Sequence, residues 1–311
     1  MNLTDKIISL ISSQLAAKAK IKSYPSWTTG SGMEKFYNDK IPWRMKIKKR
    51  AFELSNLPFL IKWLLGLRLY IYPKDENTRV IYLTGYYEPN EFKILDKLLK
   101  QGMSFLDAGA NMGLYTIFAS RKVGKSGLVI AIEPSSREFE RLRANVKINQ
   151  LKNVQMIQAA ISLKEGEADL LVANDDHVGH NTLGNFAYDD VILKQKERVI
   201  VKTIDGIVSK LNLPRLDIIK MDIEGSEFFA LQGAEKTLKH FKPILMIELF
   251  NQSLKPQGCD TDMIFHFLTS LGYIIYGFDE LANLSELKKV DGSSSQNVFA
   301  MHNSSKIKWS E

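Results

Sequence analysis

Cysteine is almost absent from this sequence of 311 residues, because Cys259 is the only one. A single thiol cannot form an internal disulfide bond, which excludes a disulfide-stabilised secreted fold and predicts a reducing compartment, the cytoplasm. Long hydrophobic runs are also missing: Lys62 and Arg68 interrupt the apolar stretch 57–72, so no membrane-spanning helix is predicted. The N-terminus lacks the basic and compact apolar segments of a signal peptide, so none is expected.

Glycine and proline number only 28 residues, and 45% of the chain is apolar and 25% charged. This composition excludes disordered, collagen-like and coiled-coil proteins, and the length predicts about two domains. The net positive charge lies in residues 1–100, which carry 18 Lys and Arg against 9 Asp and Glu. Five basic residues at 44–50 are typical of a solvated helix face, or of a surface for phosphate, nucleic acid or anionic lipid.

Hydrophobic periodicity predicts a helical, basic cap over residues 1–75, a larger domain over 76–303 and a tail at 304–311. In the larger domain, strands alternate with helices, which predicts an α/β fold with a mostly parallel sheet and helices on both faces. Strands are predicted at 80–83, 104–106, 128–132, 154–158, 168–173, 198–203, 216–221, 244–249, 273–278 and 298–301. Helices are predicted at 91–100, 114–121, 136–149, 227–240 and 262–271.

A polar segment, 174–197, separates two of these strands and contains His177 and His180. Segments of this length without secondary structure are usually functional or poorly ordered. Ligands of parallel-sheet proteins bind at the carboxyl ends of the strands, so we expect residues 174–197 to form a lid.

A turn with two glycines follows the predicted strand that ends at Asp107. Gly109 and Gly113 allow the backbone to pass close to a bound ligand. A P-loop is excluded, because Ala119 stands where the first glycine of that motif is required. A dinucleotide-binding motif fits in part only, because Asn111 replaces its middle glycine.

An S-adenosylmethionine site fits the same region, since it needs carboxylates and no phosphate cradle. Asp107 can bind the ammonium group of this ligand, and Glu133, after the next strand, can accept hydrogen bonds from its ribose diol. Gln158 ends the third strand and can pair its amide with an adenine edge.

Several motifs follow one another in a distinctive order and spacing. They are Gly85-Tyr-Tyr-Glu-Pro89, Asp107-Ala-Gly-Ala-Asn-Met-Gly113, Glu133-Pro134, Leu142-Arg-Ala-Asn145 with Asn149, Ala159-Ala-Ile-Ser162, Ile219-Lys-Met-Asp-Ile-Glu-Gly-Ser-Glu227 and Ile247-Glu-Leu249. This series, over residues 80–250, resembles that of the FkbM-type methyltransferases. The resemblance implies a seven-stranded class I methyltransferase fold, S-adenosylmethionine as cofactor and O-methylation of a sugar, glycan or natural product. It also implies cofactor contacts from Glu88, Asn111, Ala159 and Asp222.

Methyl transfer to a hydroxyl group needs alignment of the reacting atoms and a base for the hydroxyl proton. We expect His180 to be the base, because histidine titrates near neutral pH, and Asp222 and Glu224 to orient the acceptor. No metal is expected; if a divalent cation is used, its candidate ligands are Asp222, Glu248 and Asn251. Asn145 and Asn149 are expected to satisfy local backbone groups.

The predicted partner is a small-molecule or glycan acceptor with a free hydroxyl group, and no nucleic acid is expected. The basic N-terminal third leaves open a peripheral membrane association or a lipid-linked substrate, and a homodimer is also compatible with the sequence. Three alternative functions stay open: an RNA methyltransferase that uses the basic region, a nicotinamide-dependent oxidoreductase and a non-enzymatic ligand-sensing adaptor.

Overall fold

The computed structural model describes residues 3–16, 43–73, 75–174, 179–187 and 190–305. The β-strands in these ranges are β1 (Phe59–Lys62), β2 (Arg68–Ile71), β3 (Ser104–Ala108), β4 (Leu128–Ile132), β5 (Val154–Ile157), β6 (Ala160–Ile161), β7 (Gly166–Ala173), β8 (Leu193–Lys202), β9 (Ile218–Met221), β10 (Ile244–Leu249), β11 (Tyr273–Phe278), β12 (Leu284–Glu286) and β13 (Gln296–His302). The α-helices are α1 (Leu3–Leu15), α2 (Trp43–Leu54), α3 (Glu76–Thr84), α4 (Pro89–Leu98), α5 (Leu114–Val123), α6 (Ser136–Ile148), α7 (Ile204–Lys210), α8 (Glu227–Gln232), α9 (Glu235–Phe241), α10 (Asn251–Leu254) and α11 (Thr261–Ser270).

The central sheet has the strand order β12-β11-β13-β10-β9-β3-β4-β5. Strands β5, β4, β3, β9 and β10 are parallel, whereas β13 runs antiparallel to both of its neighbours, β10 and β11. This confirms the predicted α/β fold. The sheet has eight strands rather than seven, because the short strand β12 adds to its edge beside β11. The strand order changes direction between β3 and β9, the place where open α/β sheets bind ligands.

The prediction of a strand at 80–83 was wrong, because these residues belong to helix α3. Two capping residues fix this helix: the side chain of Asp75 accepts a hydrogen bond from the backbone of Thr78, and Gly85 ends the helix in the left-handed conformation with φ of 84°. The β-branched residues in this segment favour a strand locally, and the caps outweigh that preference.

The N-terminal apolar stretch is also only partly helical. Strands β1 and β2 form an antiparallel hairpin where a helix was predicted, and Leu65 and Gly66 turn between them with positive φ. The buried face of the hairpin belongs to the same core as helices α4 and α5. The hairpin therefore packs against helices that flank the central sheet, namely α3, α5 and α6.

Asn149 donates to the backbone oxygen of Asn145 at 2.8 Å, a local contact as predicted, but both asparagines also join helix α6 to this hairpin. The side chain of Asn145 accepts from the backbone N–H of Tyr70 at 3.0 Å and donates to the carbonyl of Met112 at 2.8 Å. The side chain of Asn149 accepts from and donates to the backbone of Arg68, at 2.7 Å in both cases. One helix thus holds the hairpin and the turn after β3 together.

The predicted helix 227–240 is divided into α8 and α9 at Gly233. A Cβ atom at Gly233 would lie 2.4 Å from the carbonyl oxygen of Ser162, so the break brings the backbone against the β6–β7 connection. There β6, β8 and β7 form a small second sheet. None of the described helices is long and apolar enough to cross a membrane.

Candidate functional site

The turn after β3 forms the floor of a cavity at the carboxyl ends of β3, β4 and β9, which we call the strand-end cavity. Gly109 adopts φ of 76°, and a Cβ atom there would lie 1.8 Å from the backbone oxygen of Asp222. At Gly113, with φ of 90°, a Cβ atom would lie 2.6 Å from Leu142. Only glycine fits at these two positions, because any side chain would push the turn away from β9 or α6.

The strand-end cavity is lined by residues from both halves of the sheet. They are Asn77, Tyr87, Gly109, Ala110, Asn111, Met112, Leu114, Tyr115, Ile132, Glu133, Pro134, Glu138, Ala159, Ala160, Ile161, Leu170, Gly179, Asn181, Leu183, Lys220, Asp222, Ile223, Glu224 and Ser226. Six of the predicted site residues are in this set: Gly109, Asn111, Glu133, Ala159, Asp222 and Glu224. Gly113 lies behind the turn, against α6.

Glu133 is held in place by the backbone of the cavity wall. It is 5% exposed, and its two carboxylate oxygens accept hydrogen bonds from the N–H groups of Asn111 at 2.8 Å and Ser135 at 3.0 Å. Burial, with the nearby charge of Glu138, raises its pKa to about 8. Each oxygen keeps a lone pair, so the carboxylate can still accept hydrogen bonds from the hydroxyl groups of a ligand.

Asp107 and Gln158 lie outside the cavity lining. Asp107 is fully buried beneath the turn, where it accepts a hydrogen bond from the Thr116 hydroxyl at 2.6 Å. Gln158 donates to the Ser136 hydroxyl at 3.1 Å. The expected contacts of Asp107 with an ammonium group and of Gln158 with an adenine edge are therefore not prepared by the geometry.

Lys220 is the site residue that the sequence interpretation missed. Its Nζ lies 3.0 Å from Asp222 and 3.9 Å from Asp107, and it donates to the backbone oxygen of Gly109 at 3.2 Å. Burial opposes its charged form, but the carboxylates of Asp222, Asp107 and Glu88 outweigh burial and raise the pKa of Lys220. A lysine inside the otherwise apolar strand β9 was the available signal, because buried lysines are almost always paired.

The segment 222–227 folds into a tight acidic turn after β9. Glu224 adopts φ of 52°, which is uncommon for a residue with a side chain, and Gly225 follows with φ of 100°. The Glu227 carboxylate accepts hydrogen bonds from the backbone of Ile223 at 2.9 Å and Gly225 at 3.3 Å. Glu227 thus stabilises the turn, which leaves Asp222 and Glu224 to face the cavity.

His180 lies beside Glu224, with 3.4 Å between Nδ1 and the carboxylate oxygen. Burial favours the neutral ring, but the hydrogen bond and charge of Glu224, with the charge of Asp222, outweigh burial and raise the pKa of His180. Its neighbours Gly179, Asn181 and Leu183 line the strand-end cavity. His177 lies outside the described residues.

A second cavity of about 660 Å³, the glutamate cavity, adjoins the first and shares Asn77 and Tyr87 with it. Its lining comprises Glu76, Asn77, Val80, Thr84, Tyr86, Tyr87, Glu88, Pro89, Asn90, Glu91, Glu248, Gly277, Phe278, Ser285, Leu287, Ser295, Gln296 and Asn297. Glu88 was predicted to contact a cofactor, and the structure places it in this second lining instead. There it accepts hydrogen bonds from the Tyr115 hydroxyl and from Asn297 at 3.2 Å.

Three carboxylates between the two cavities, those of Asp222, Glu224 and Glu248, offer ligand atoms within 4.8 Å of one another. Two of the candidate metal ligands, Asp222 and Glu248, belong to this group, and Glu224 is the third member. The side-chain oxygen of Asn251, the other candidate ligand, accepts a hydrogen bond from the backbone of Thr261 at 3.0 Å.

Comparison with known proteins identifies relatives of this site and its fold. Residues 107–275 match the family model described as the Methyltransferase FkbM domain. Methyltransferase 1 of Beauveria bassiana is 26% identical over 145 residues, which is 42% of this chain and 57% of that protein. Methyltransferase sdnD of Sordaria araneosa is 25% identical over 179 residues, which is 49% of this chain and 68% of that protein.

Among solved structures, the methyltransferase FkbM of Methylobacillus flagellatus KT is similar to the chain with a TM-score of 0.40 and 16% identity. That similarity covers 73% of this chain and 54% of the other.

Proposed function

Because the chain belongs to the FkbM methyltransferase family, we propose that it transfers the methyl group of S-adenosylmethionine to a hydroxyl group of a sugar, glycan or natural product. The observation that carries this proposal is the setting of Glu133. A carboxylate fixed by two backbone amides, beside a glycine turn with no room for a side chain, suits a ribose diol.

The acidic groups of the strand-end cavity fit the rest of this cofactor. Asp222 and Glu224 line the same cavity as Glu133 and provide negative charge for an ammonium or sulfonium group. When bound, S-adenosylmethionine supplies an activated methyl group, since the new carbon–oxygen bond forms as the carbon–sulfur bond breaks and its electron pair stays on sulfur. The apolar part of the lining, which includes Ile132, Pro134 and Leu183, excludes water from the reacting atoms.

The same cavity argues against a nicotinamide dinucleotide. Lys220 is the basic residue among the described lining residues, and it is already engaged by Asp222, Asp107 and the Gly109 carbonyl. A pyrophosphate would therefore meet carboxylates with no side-chain cation available to it.

We assign the general base to His180, with Glu224 as its positioning residue. The carboxylate at 3.4 Å orients the ring and stabilises the imidazolium that forms when the acceptor hydroxyl loses its proton. Because Glu224 raises the pKa of His180, a larger fraction of the ring is protonated at neutral pH than in a free histidine, and the active form increases with pH.

Calorimetry with the full chain tests the proposed function. We expect S-adenosylmethionine to bind and NADH not to bind, and we expect a labelled methyl group to be transferred to a hydroxyl-bearing acceptor. Binding of NADH, or no binding of S-adenosylmethionine by a folded protein, would contradict the proposal.

A further inference from the structure

The glutamate cavity lies where an acceptor must lie if the proposed function is correct. It shares Asn77 and Tyr87 with the strand-end cavity, so the two cavities are adjacent. Its volume of about 660 Å³ is within the range of small-molecule sites. The side chains of this cavity therefore indicate the chemical class of the acceptor.

The cavity lining is strongly acidic. Glu76, Glu88, Glu91 and Glu248 contribute to it, and none of the described lining residues is a lysine or an arginine. Arg79 forms an ion pair with Glu76 at 2.5 Å, and Lys220 acts on Glu88 but is closer to Asp222 and Asp107. A phosphate group would be repelled here, whereas a cation would be attracted.

The carboxylates are close together and share few donors. The side-chain amide of Asn297 donates to Glu88 at 3.2 Å and also to Glu91 at 3.1 Å. Burial, together with the neighbouring charge of Glu88, raises the pKa of Glu91 to about 8, and burial likewise raises the pKa of Glu88 and Glu248. A bound cation with hydrogen-bond donors relieves this repulsion and satisfies the remaining lone pairs.

Asn90 provides an independent sign of a missing donor. It lines the cavity, it is only 6% exposed, and its side-chain oxygen has no hydrogen-bond partner within the part of the chain that is described. Buried polar atoms without partners are rare in native proteins, so this oxygen calls for a donor from a ligand. Tyr86, Tyr87 and Phe278 add aromatic surface, which also favours a cation or the apolar face of a sugar ring.

We propose, on the basis of the proposed function, that the acceptor is a polyol that carries a protonated amine, such as an amino sugar or an aminocyclitol. Its ammonium group donates to Glu88, Glu91 and Asn90, and one of its hydroxyl groups faces the strand-end cavity. Phosphate-bearing acceptors, including RNA, are excluded from this cavity by the same charges.

Three probes that differ only at carbon 6 test this assignment: 6-amino-6-deoxy-D-glucose, D-glucose and D-glucose 6-phosphate. Calorimetry uses the full chain loaded with S-adenosylmethionine, at about pH 8, which is near the pKa of Glu91. We expect the amine to bind about tenfold more tightly than glucose, because one charge-assisted hydrogen bond accounts for a difference of this size. We expect the phosphate not to bind. Equal binding of amine and glucose, no binding of the amine, or tighter binding of the phosphate would overturn the proposal.

The Glu91→Gln variant should reduce the preference for the amine to about twofold, whereas Glu235→Gln, at an exposed glutamate on α9, should keep the wild-type preference.

Salt gives a second measurement on the unmodified protein, because raising NaCl should weaken binding of the amine and leave binding of glucose unchanged. The preference for the amine over glucose should stay the same after metal ions are removed by exhaustive chelation. Loss of this preference would show that a metal ion bridges the protein and the acceptor, which would overturn the proposal. Failure to bind S-adenosylmethionine would instead contradict the proposed function.

Discussion

The two cavities differ in how the sequence builds them. The floor of the strand-end cavity is a stretch of neighbouring residues, since Gly109, Asn111 and Gly113 lie in one turn after β3. The glutamate cavity collects residues from distant parts of the chain, namely the start of α4, the end of β10 and the start of β13. A site made by one turn is visible as a motif, whereas a site made by the packing of separate elements is not. The backbone at the floor of the strand-end cavity is closely packed at Gly109. The glutamate cavity is distinguished instead by the charge of its side chains.

The largest effect is expected at the turn itself. Gly109→Ala should abolish S-adenosylmethionine binding and lower the free energy of unfolding by more than about 2 kcal/mol, because the new Cβ atom would lie 1.8 Å from the backbone of Asp222. Gly166→Ala is the matched control, since a Cβ atom there meets nothing within 4 Å. Calorimetry and thermal denaturation measure both quantities, and wild-type affinity in Gly109→Ala would refute the view that close backbone approach forms the site.

The next effect separates binding from chemistry. His180→Gln should lower kcat about 100- to 10,000-fold and leave the Kd for S-adenosylmethionine unchanged. In the wild type, kcat should increase with pH through a pKa above 6.5, because Glu224 raises the pKa of His180. The exposed His266 gives the control variant His266→Gln. An unchanged kcat in His180→Gln, or a kcat that still increases with pH in this variant as in the wild type, would show that His180 is not the general base.

A smaller and more selective loss is expected at Glu133. Above about pH 8, where Glu133 is ionised, Glu133→Gln should raise the Kd for S-adenosylmethionine about 10- to 100-fold, because a charge-assisted contact with hydroxyl groups becomes a neutral one. The amine preference of the glutamate cavity should stay as in the wild type, which would show that the two cavities act separately. Glu140→Gln, on the exposed side of α6, is the control. Equal losses at both cavities would contradict this separation.

The smallest effect tests how the N-terminal hairpin supports the turn. Asn145→Ala leaves the N–H of Tyr70 and the carbonyl of Met112 without their partner, so the free energy of unfolding should fall by about 2 kcal/mol. Affinity for S-adenosylmethionine should weaken only a few-fold. The exposed Asn56→Ala should change stability by less than about 0.5 kcal/mol. Denaturant titration of both variants decides whether Asn145 is a structural link.

Sequence reasoning succeeded where local pattern and fold agree. Alternating apolar strands and helices predicted the parallel part of the sheet, and the glycine turn predicted the place of the strand-end cavity. It failed for α3, whose helical caps outweigh a β-branched run, and for Asp107, whose full burial under Lys220 cannot be read from its place in the motif. Local propensity does not show which polar residue ends up beneath the surface and which ends up on it.

The glutamate cavity could not be predicted for a topological reason. Glu248 lies opposite Asn297 on the adjacent antiparallel strands β10 and β13. It also accepts a hydrogen bond from Ser295, which lies 47 positions further along the sequence. Glu88 and Glu91 lie at the start of α4, far from β13 in the sequence. No periodicity of the sequence connects these two segments. The register of β10 with β13 places Glu248 beside Asn297, and the hydrogen bonds of Asn297 to Glu88 and Glu91 join the start of α4 to them.

The place of β13 also has a consequence for the newly made chain. This strand is the last described one to leave the ribosome, yet it occupies an interior position between β10 and β11. The parallel half of the sheet has its full complement of strands before β13 emerges, while β11 and β12 must wait for it to join them. During translation, the strands around the strand-end cavity thus emerge first, and the glutamate cavity is completed last, when β13 joins the sheet.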